Sequence, residues 1–498
     1  MSLRGVGTLL GAARVRAALL ALCAAALALV FAASARGAGG LYISGAGYGP
    51  GVGMSQYGAA GYALHGESYQ QILSDYYAQT TIGEVNPRHV VTVLLRAGGE
   101  PSFSGATRVA GTRVRLHAGT RYSVLAAGAG LRLVAAGVTV GVFSAPLVVR
   151  GRRALTLVGS GRYDGALTFR PSPRGQGVMT INAVGLDDYV RGVVASEMPP
   201  SWPAQALEAQ AVAARSYAYA GTPVSPDYDL YASTRSQLYL GVRAQTPATD
   251  AAVAATSGQV VEYQGIPVVT YFFASSGGRT ESVQNVFAIA PEPWLVGMPD
   301  PYDDSLHNPY YRWRRALRLR VAQARLRRLV RGRLRGIRVI QRGVSPRIVR
   351  AAVVGTGGSV SVSGATLRSL LGTPSTWMSF TTVTARGVQT TSVPAPEPTT
   401  TSPSAPSPTT STSTPTTGGG GLAQARRAAR TTRLLISGSV FPLTRGARVH
   451  VEQLVGGRWS AAGSVSPVAT GRYALAVAVP GRYRVLYAGV TGPAVKVG

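Results

Sequence analysis

A low-complexity stretch late in the chain constrains the fold more than any other feature. From Gln389 to Gly421 the residues are mainly Thr, Ser and Pro, and the stretch closes with four glycines. Such a composition cannot bury enough apolar surface to offset the entropy lost on ordering, so we expect a linker there. It would separate a large part of the 498-residue chain from a small part at residues 422–498. Together they have room for two or three domains.

Composition excludes several classes of protein. Hydrophobic residues make up 46% of the chain and charged residues 14%, so wholesale disorder is excluded. The only cysteine is Cys23, which rules out an internal disulfide or a Cys-rich metal cage, and the five histidines are scattered. We therefore predict no metal site and no cofactor.

The N-terminal segment predicts export. Arg4, Arg14 and Arg16 precede an uncharged run of Leu and Ala that ends in Ala33-Ser34-Ala35. This pattern is typical of a secretory signal peptide, here residues 1–35. An uncleaved membrane anchor is the alternative, because the run is close to the ~20 residues that span a bilayer. Either way we expect a secreted or envelope-bound protein.

The chain is strongly basic, with 50 Lys and Arg against 20 Asp and Glu. For an exported protein this charge favours anionic wall polymers or lipid headgroups over nucleic acid as partners. Arg312 to Arg350 contains fifteen arginines and no acid, with apolar residues spaced as on an amphipathic helix. The alternative is an ordinary solvated surface.

Periodicity predicts the main elements. We expect two short helices in Ser55–Tyr77, a meander of strands from Val91 to Ile181, a helix from about Pro203 to Ala220, strands at Gln259–Tyr263 and Val268–Phe273, and strand, helix and strand in Val360–Phe380. The predicted fold is an α+β main domain over residues 39–388, with helices packed on antiparallel strands and a β-rich part at about 91–181. Short alternating runs in residues 422–498 predict a small all-β sandwich.

A glycine-rich motif stands near the start of the predicted domain. Its sequence, GYGPGVGMSQYGA, covers Gly47–Ala59 and has glycines at alternate positions. Glycine permits tight turns and close approach, and Ser55 and Gln56 would offer donors at a helix N-terminus. The spacing is not that of a phosphate-binding loop. A turn that merely caps a helix is the alternative.

A second motif, Leu186–Trp202, contains the acid that is the best candidate for catalysis. Glu197 stands in an apolar, Pro-rich context. Desolvation there would raise its pKa, which suits a general acid near neutral pH. The alternative is an exposed Glu just ahead of a helix. Asp187 and Asp188 are interpreted as turn or capping residues.

Together these motifs resemble the SpoIID/LytB family, known from stage II sporulation protein D and from amidase enhancers. The resemblance extends through Ser236-Gln237-Leu238-Tyr239 and Ala274-Ser275-Ser276-Gly277-Gly278. It implies a peptidoglycan lytic transglycosylase that cleaves MurNAc–GlcNAc linkages through one general acid and base, Glu197. It also implies that a substrate groove is lined by six side chains besides Gln56: Ser55, Arg215, Ser236, Gln237, Ser275 and Ser276.

Two departures from the family pattern leave an alternative open. The glycine-rich motif precedes the other motifs, whereas in relatives it usually follows them, and Pro50 replaces the His of that motif. Any zinc that relatives hold through Cys and His would have no ligands here. The alternative is a non-catalytic glycan-binding protein that enhances an N-acetylmuramoyl-L-alanine amidase. A structural wall adhesin is a third hypothesis.

Overall fold

The computed structural model describes residues 38–173, 175, 177–392 and 431–498. The predicted signal peptide and most of the predicted linker therefore lie outside the described residues. Within these ranges the protein is a strand-rich mixed α/β structure with several sheets. The prediction of helices combined with mainly antiparallel strands is confirmed at this level. In the same ranges, no helix combines the length and apolar character needed to cross a bilayer.

The described residues form seven α-helices. They are α1 Gln56–Leu64, α2 Tyr69–Tyr76, α3 Leu186–Glu197, α4 Ala204–Ala220, α5 Pro247–Ala255, α6 Leu319–Arg325 and α7 Gly364–Leu371. The side chain of Ser55 caps α1 by accepting the Gly58 N–H, and Ser68 caps α2 in a capping box with Gln71. The predicted pair of short helices and the predicted helix to Ala220 are both confirmed.

The strands are numbered in chain order. They are β1 Ala38–Gly45, β2 Met54–Ser55, β3 Thr81–Glu84, β4 Val90–Arg96, β5 Ser102–Val109, β6 Tyr122–Ala127, β7 Gly130–Ala135, β8 Val138–Ser144, β9 Leu147–Leu157, β10 Gly161–Tyr163, β11 Ala166–Pro171, β12 Val178–Gly185, β13 Leu230–Tyr231, β14 Gln259–Tyr263, β15 Ile266–Pro267, β16 Phe272–Phe273, β17 Trp313–Arg318, β18 Leu334–Arg342, β19 Ile348–Gly355, β20 Gly358–Ser363, β21 Met378–Ser392, β22 Thr431–Phe441, β23 Val449–Val455, β24 Arg458–Val465, β25 Arg472–Val477, β26 Gly481–Tyr487 and β27 Val490–Val497.

The largest sheet has ten strands in the order β13-β4-β12-β11-β9-β5-β6-β7-β8, with β10 paired to β9. The strands predicted between Val91 and Ile181 are confirmed, but they do not form one meander, because β4 pairs with β12 and β5 pairs with β9. Helices α3 and α4 share one hydrophobic core with this sheet, through residues such as Val93, Val193 and Leu207. The sheet and the two helices therefore form two packed layers, and the helices carry the candidate site.

Strand β1 directly precedes the glycine-rich motif and pairs with strands from the late part of the main domain. It lies between β17 and β21, so that Leu41 pairs with Leu317 on one side and with Thr382 on the other. Early and late segments of the main part thus share one sheet. This pairing explains how the unusual motif order is accommodated, because chain ends that lie close together tolerate such rearrangement.

Two expectations about secondary structure are wrong. The Arg312–Arg350 segment is not one helix: only Leu319–Arg325 is helical, while β17, β18 and the start of β19 occupy most of the rest, joined by turns. In β18 the β-branched residues Ile337 and Val339 pair with β19, which overrides the helical spacing of the apolar residues. The predicted strand Val268–Phe273 is reduced to Phe272–Phe273, which pairs with β2.

The C-terminal strands form two layers, but one layer is shared. Strands β22 and β25 extend the sheet of β17, β1 and β21, while β24, β23, β26 and β27 form a separate sheet. Val383, Ile436 and Val485 are buried in the core between them. Strand β21 also continues to Ser392, past the predicted start of the linker at Gln389. The predicted sandwich therefore shares a sheet with the N-terminal strand.

Candidate functional site

Glu197 is the last residue of α3 and precedes Met198, which is extended. Sequence analysis did not predict this helix, although Tyr189, Val190 and Val193 follow helical spacing and are fully buried. Packing of this apolar side against the core fixes the direction of the helix. The helix end consequently holds the Glu197 side chain in a half-buried position.

The Glu197 carboxyl is held by two groups that are distant in the chain. Its Oε1 accepts the Leu238 N–H at 2.8 Å, and its Oε2 lies 3.4 Å from the Gln56 Nε2 donor. Burial raises the pKa of Glu197, and these two hydrogen bonds oppose the rise without cancelling it. A raised pKa is what its apolar sequence context predicts.

Gln56 is positioned by the glycine-rich loop. Gly47, Gly49, Gly51 and Gly53 all have positive φ, as alternate glycines suggest. A Cβ at Gly53 would overlap the Tyr271 carbonyl oxygen, so only glycine lets the loop backbone lie this close to the backbone of Tyr271. The tightly packed loop thus positions Gln56, which is only 5% exposed. Its Nε2 donates to Glu197 Oε2 and to Gln210 Oε1.

Arg215 does not line an open groove, contrary to expectation. Its side chain is fully buried and donates to Asp187 Oδ1 at 2.6 Å. It also donates to the carbonyls of Gln259 and Val253. Asp187 and Asp188 occupy the first turn of α3, where negative charge is favoured by the helix dipole. The ion pair between Arg215 and Asp187, with the bond from Arg215 to the Gln259 carbonyl, therefore links α4 to α3 and β14.

Ser236 and Gln237 support Glu197 indirectly. Gln237 is buried, accepts the Tyr189 hydroxyl at 2.8 Å and donates to the Ala214 carbonyl at 3.2 Å. The half-buried Ser236 accepts the Tyr231 N–H. Both residues hold the turn whose next residue is Leu238. Gln237 is therefore a positioning residue and is not exposed to a groove.

Ser55, Ser275 and Ser276 surround a buried acid that sequence analysis missed. Asp303 is fully buried and accepts five hydrogen bonds of 2.6–3.1 Å. The donors are Ser55 Oγ, Ser275 Oγ, Asn308 Nδ2 and the amides of Ser276 and Gly277. All three serines are fully buried. They therefore fasten the glycine-rich loop and do not line the expected groove.

A row of aromatic side chains extends from the glycine-rich loop toward Glu197. Tyr48 is 43% exposed and its ring centroid lies 4.6 Å from that of Tyr310. Tyr310 lies 6.2 Å from Tyr57, which lies 4.9 Å from Trp202. Tyr57 follows Gln56 in sequence, and the Trp202 amide donates to the Pro199 carbonyl in the turn just after Glu197. The row therefore ends at Tyr57 and Trp202, which stand close in sequence to Gln56 and Glu197.

Asp300, which lies beneath this loop, provides a test of stability against pH. Burial, followed by the adjacent Asp303 carboxyl, raises the pKa of Asp300 to about 7, although Oδ1 accepts the Tyr76 hydroxyl. The folded protein thus retains a proton that the unfolded chain loses near pH 4. Stability should therefore fall as pH rises from about 4 to 7 and then level off.

Asp300→Asn should remove this fall, because the amide does not titrate. At pH 8 the variant should be more stable than the parent, by at most about 4 kcal/mol at ~1.4 kcal/mol per pKa unit. Urea unfolding of both proteins at pH 5 and pH 8 measures the difference. Parallel pH dependence in the two proteins would contradict the assignment.

The surroundings of Glu197 do not fit a metal ion. Among the residues that the structure describes, no group of three or more His, Cys, Asp or Glu side chains could hold one. Pro50 occupies the loop position where the family motif has His.

These features define a class of protein: a mixed α/β fold in which a half-buried glutamate ends a helix and its carboxyl accepts from a backbone N–H and a side-chain amide. Residues 174–263 match the model of the SpoIID family, described as Stage II sporulation protein. This segment contains Glu197 and its partner Leu238. The family resemblance indicated by the motifs is therefore confirmed.

Several curated proteins are similar to part of the chain. An uncharacterized protein of Brachyspira hyodysenteriae is 36% identical over 162 residues, which cover 32% of this chain and 43% of that protein. Stage II sporulation protein D of Bacillus subtilis is 30% identical over 161 residues, covering 28% and 47%. The Amidase enhancer of Bacillus subtilis is 35% identical over 118 residues, covering 24% and 16%. The chain thus matches less than half of the length of each of these relatives.

Proposed function

We propose that this protein is an exported peptidoglycan lytic transglycosylase that cleaves MurNAc–GlcNAc linkages in the cell wall. The observation that carries the proposal is the Glu197 carboxyl, half-buried, with a raised pKa and with Oε1 held by the Leu238 N–H. The relatives named for sporulation and amidase enhancement support a role at the cell wall.

One carboxyl is sufficient for this reaction. Oε1 accepts the shorter hydrogen bond, 2.8 Å from the Leu238 N–H against 3.4 Å from Gln56 Nε2 at Oε2, so the proton of the acid form is assigned to Oε2. Glu197 gives that proton to the glycosidic oxygen as the bond to the muramic C1 breaks, and the GlcNAc leaves with a free C4 hydroxyl. The carboxylate then takes the proton of the muramic C6 hydroxyl as O6 bonds to C1. A 1,6-anhydro ring results, the acid is regenerated, and no water is consumed.

The aromatic row supports a sugar as the ligand. Sugar rings present apolar C–H faces that pack on aromatic rings, and Tyr48, which is 43% exposed, offers such a ring at one end of the row. The row would hold a strand so that one linkage lies over Glu197. Gln56, between the row and the carboxyl, would keep Oε2 oriented.

A second candidate function is a non-catalytic glycan-binding enhancer of a cell-wall amidase. Pro50, in place of the family's His, and the relative named Amidase enhancer favour it. In that function the same aromatic row would bind the strand, but Glu197 would serve only to fasten Leu238 and Gln56.

Incubation with glycan strands in ¹⁸O-labelled water distinguishes these functions. The strands are first stripped of their peptides and reduced at their ends, and products are identified by mass. We expect new 1,6-anhydro ends, each lighter by one water than a hydrolysis product and free of label. Labelled reducing ends would indicate a hydrolase instead. Retained binding without any cleavage would overturn the enzyme proposal in favour of the enhancer.

A further inference from the structure

A cleft of about 720 Å³ is lined in part by Arg235, three residues before Leu238, and its lining does not include Glu197. The wall of this cleft includes the apolar residues Leu94, Pro173 and Met179, together with Tyr228, Tyr231 and Arg235. Tyr228, Tyr231 and Arg235 belong to neither sequence motif, and the proposed reaction does not use them.

Arg235 is fixed in this wall by stacking. Its guanidinium carbon lies 3.5 Å from the centroid of the Tyr231 ring, and Tyr231 packs on Tyr228 at 5.5 Å. Arg235 is exposed and, among the residues that the structure describes, has no salt-bridge partner. The acid in the same cleft, Asp227, pairs instead with Arg170 at 3.5 Å. A planar guanidinium in a fixed orientation is thus free to bind an anion.

The turn that contains Arg235 also holds Glu197. The Tyr231 N–H donates to Ser236 Oγ at 3.1 Å, and the Tyr239 N–H donates to the Ala232 carbonyl at 3.4 Å, which closes the turn. From this same turn the Leu238 N–H donates to Glu197. A ligand group bound at Arg235 is therefore held in a fixed relation to the candidate catalytic carboxyl.

We propose that this cleft binds a carboxylate carried on the glycan strand, with Arg235 as the bidentate donor and Tyr231 as its support. Arginine matches the geometry of a carboxylate better than any other side chain. The inference rests on the proposed function for the identity of the strand. The carboxylate has two sources: the lactyl group of muramic acid in a peptide-free strand, and the peptide of a substituted strand.

Binding measurements by calorimetry test the inference without requiring turnover. The probes are chitotetraose, which has no carboxylate, a peptide-free muramic-acid strand, the same strand with its carboxyls amidated, and a peptide-bearing strand. They are applied to the full chain and to Arg235→Gln and Arg235→Lys. Arg113→Gln, another exposed arginine in a turn, is the matched control.

Arg235→Gln should weaken binding of the carboxylate-bearing strands about tenfold to a hundredfold and leave chitotetraose unaffected. Arg235→Lys should weaken this binding less, because lysine keeps the positive charge but lacks the paired N–H donors of the guanidinium. The strand that depends more strongly on Arg235 identifies the source. Equal affinity of the parent for free and amidated strands would overturn the inference, as would equal weakening of every probe by Arg235→Gln. A carboxylate preference that depends on Arg235 supports it even if no strand is cleaved, so its outcome is separate from that of the proposed function.

Discussion

Replacing Glu197 with glutamine is expected to slow formation of 1,6-anhydro ends at least about a hundredfold, because general acid–base catalysis contributes on the order of 10²–10⁴. Glutamine has nearly the same shape, and its carbonyl oxygen can still accept the Leu238 N–H that Glu197 Oε1 accepts. The variant should therefore fold and bind strands normally. Initial rates from mass spectrometry, with strand affinity measured separately, quantify the effect.

A matched control exists in Glu208, which undergoes the same chemical change on α4. Glu208 is half-buried and its Oε2 accepts the Gln205 side-chain amide at 2.8 Å, whereas Gln56 and Leu238 donate to Glu197. Glu208→Gln should keep the parental rate. Equal losses in the two variants would indicate a general structural effect, and a full rate in Glu197→Gln would rule Glu197 out as the acid.

The pH profile gives a further readout of the same residue. Burial raises the pKa of Glu197, so its acid form persists to higher pH than that of an exposed Glu. The rate should be high below that pKa and fall as pH rises through it, because the carboxylate cannot protonate the leaving oxygen. Residual activity in Glu197→Gln should lack this fall.

Elements with a strong local pattern could be predicted from the sequence. The helix ending at Ala220 and the strands between Val91 and Ile181 have periodic apolar residues that suit only one type of structure. The segment from Arg312 to Arg350 could not be predicted in this way, since its apolar spacing fits a short helix as well as a strand. Pairing of β18 with β19, a contact between separate segments, decides the outcome.

The candidate site shows the same limit. The apolar context of Glu197 predicts a raised pKa, but its two partners lie 41 and 141 residues away in the chain. Likewise, Asp300 and Asp303 stand in a stretch that has the composition of an exposed turn. Only the fold shows that both are buried against the loop. The sequence signal that could have drawn attention to them is the scarcity of acids, with only 20 Asp and Glu in the chain.

Replacing Asp303 with alanine is expected to destabilise the protein by at least about 3–5 kcal/mol. The carboxylate is fully buried and satisfies five donors, two hydroxyls, one side-chain amide and two backbone amides. With alanine, Asn308 Nδ2, Ser55 Oγ and the Ser276 amide keep a second acceptor. Ser275 Oγ and the Gly277 amide lose the acceptor that Asp303 provides, and each buried donor left unsatisfied costs about 1–3 kcal/mol. Asp303→Asn keeps the shape, so its loss should be smaller. Urea unfolding measures both.

Asp304→Ala is the control, because Asp304 is the next residue, is exposed and should change stability by less than about 0.5 kcal/mol.

The hydrogen bonds of Asp303 should also affect the rate of strand cleavage, and not only the stability of the fold. Ser55, which Asp303 holds at 2.6 Å, caps α1 directly before Gln56. Asp303→Asn should therefore lower the rate of strand cleavage even at temperatures where it remains folded, whereas Asp304→Ala should not. Unchanged stability and rate in Asp303→Ala would mean that this buried acid neither fastens the glycine-rich loop nor positions Gln56 against Glu197.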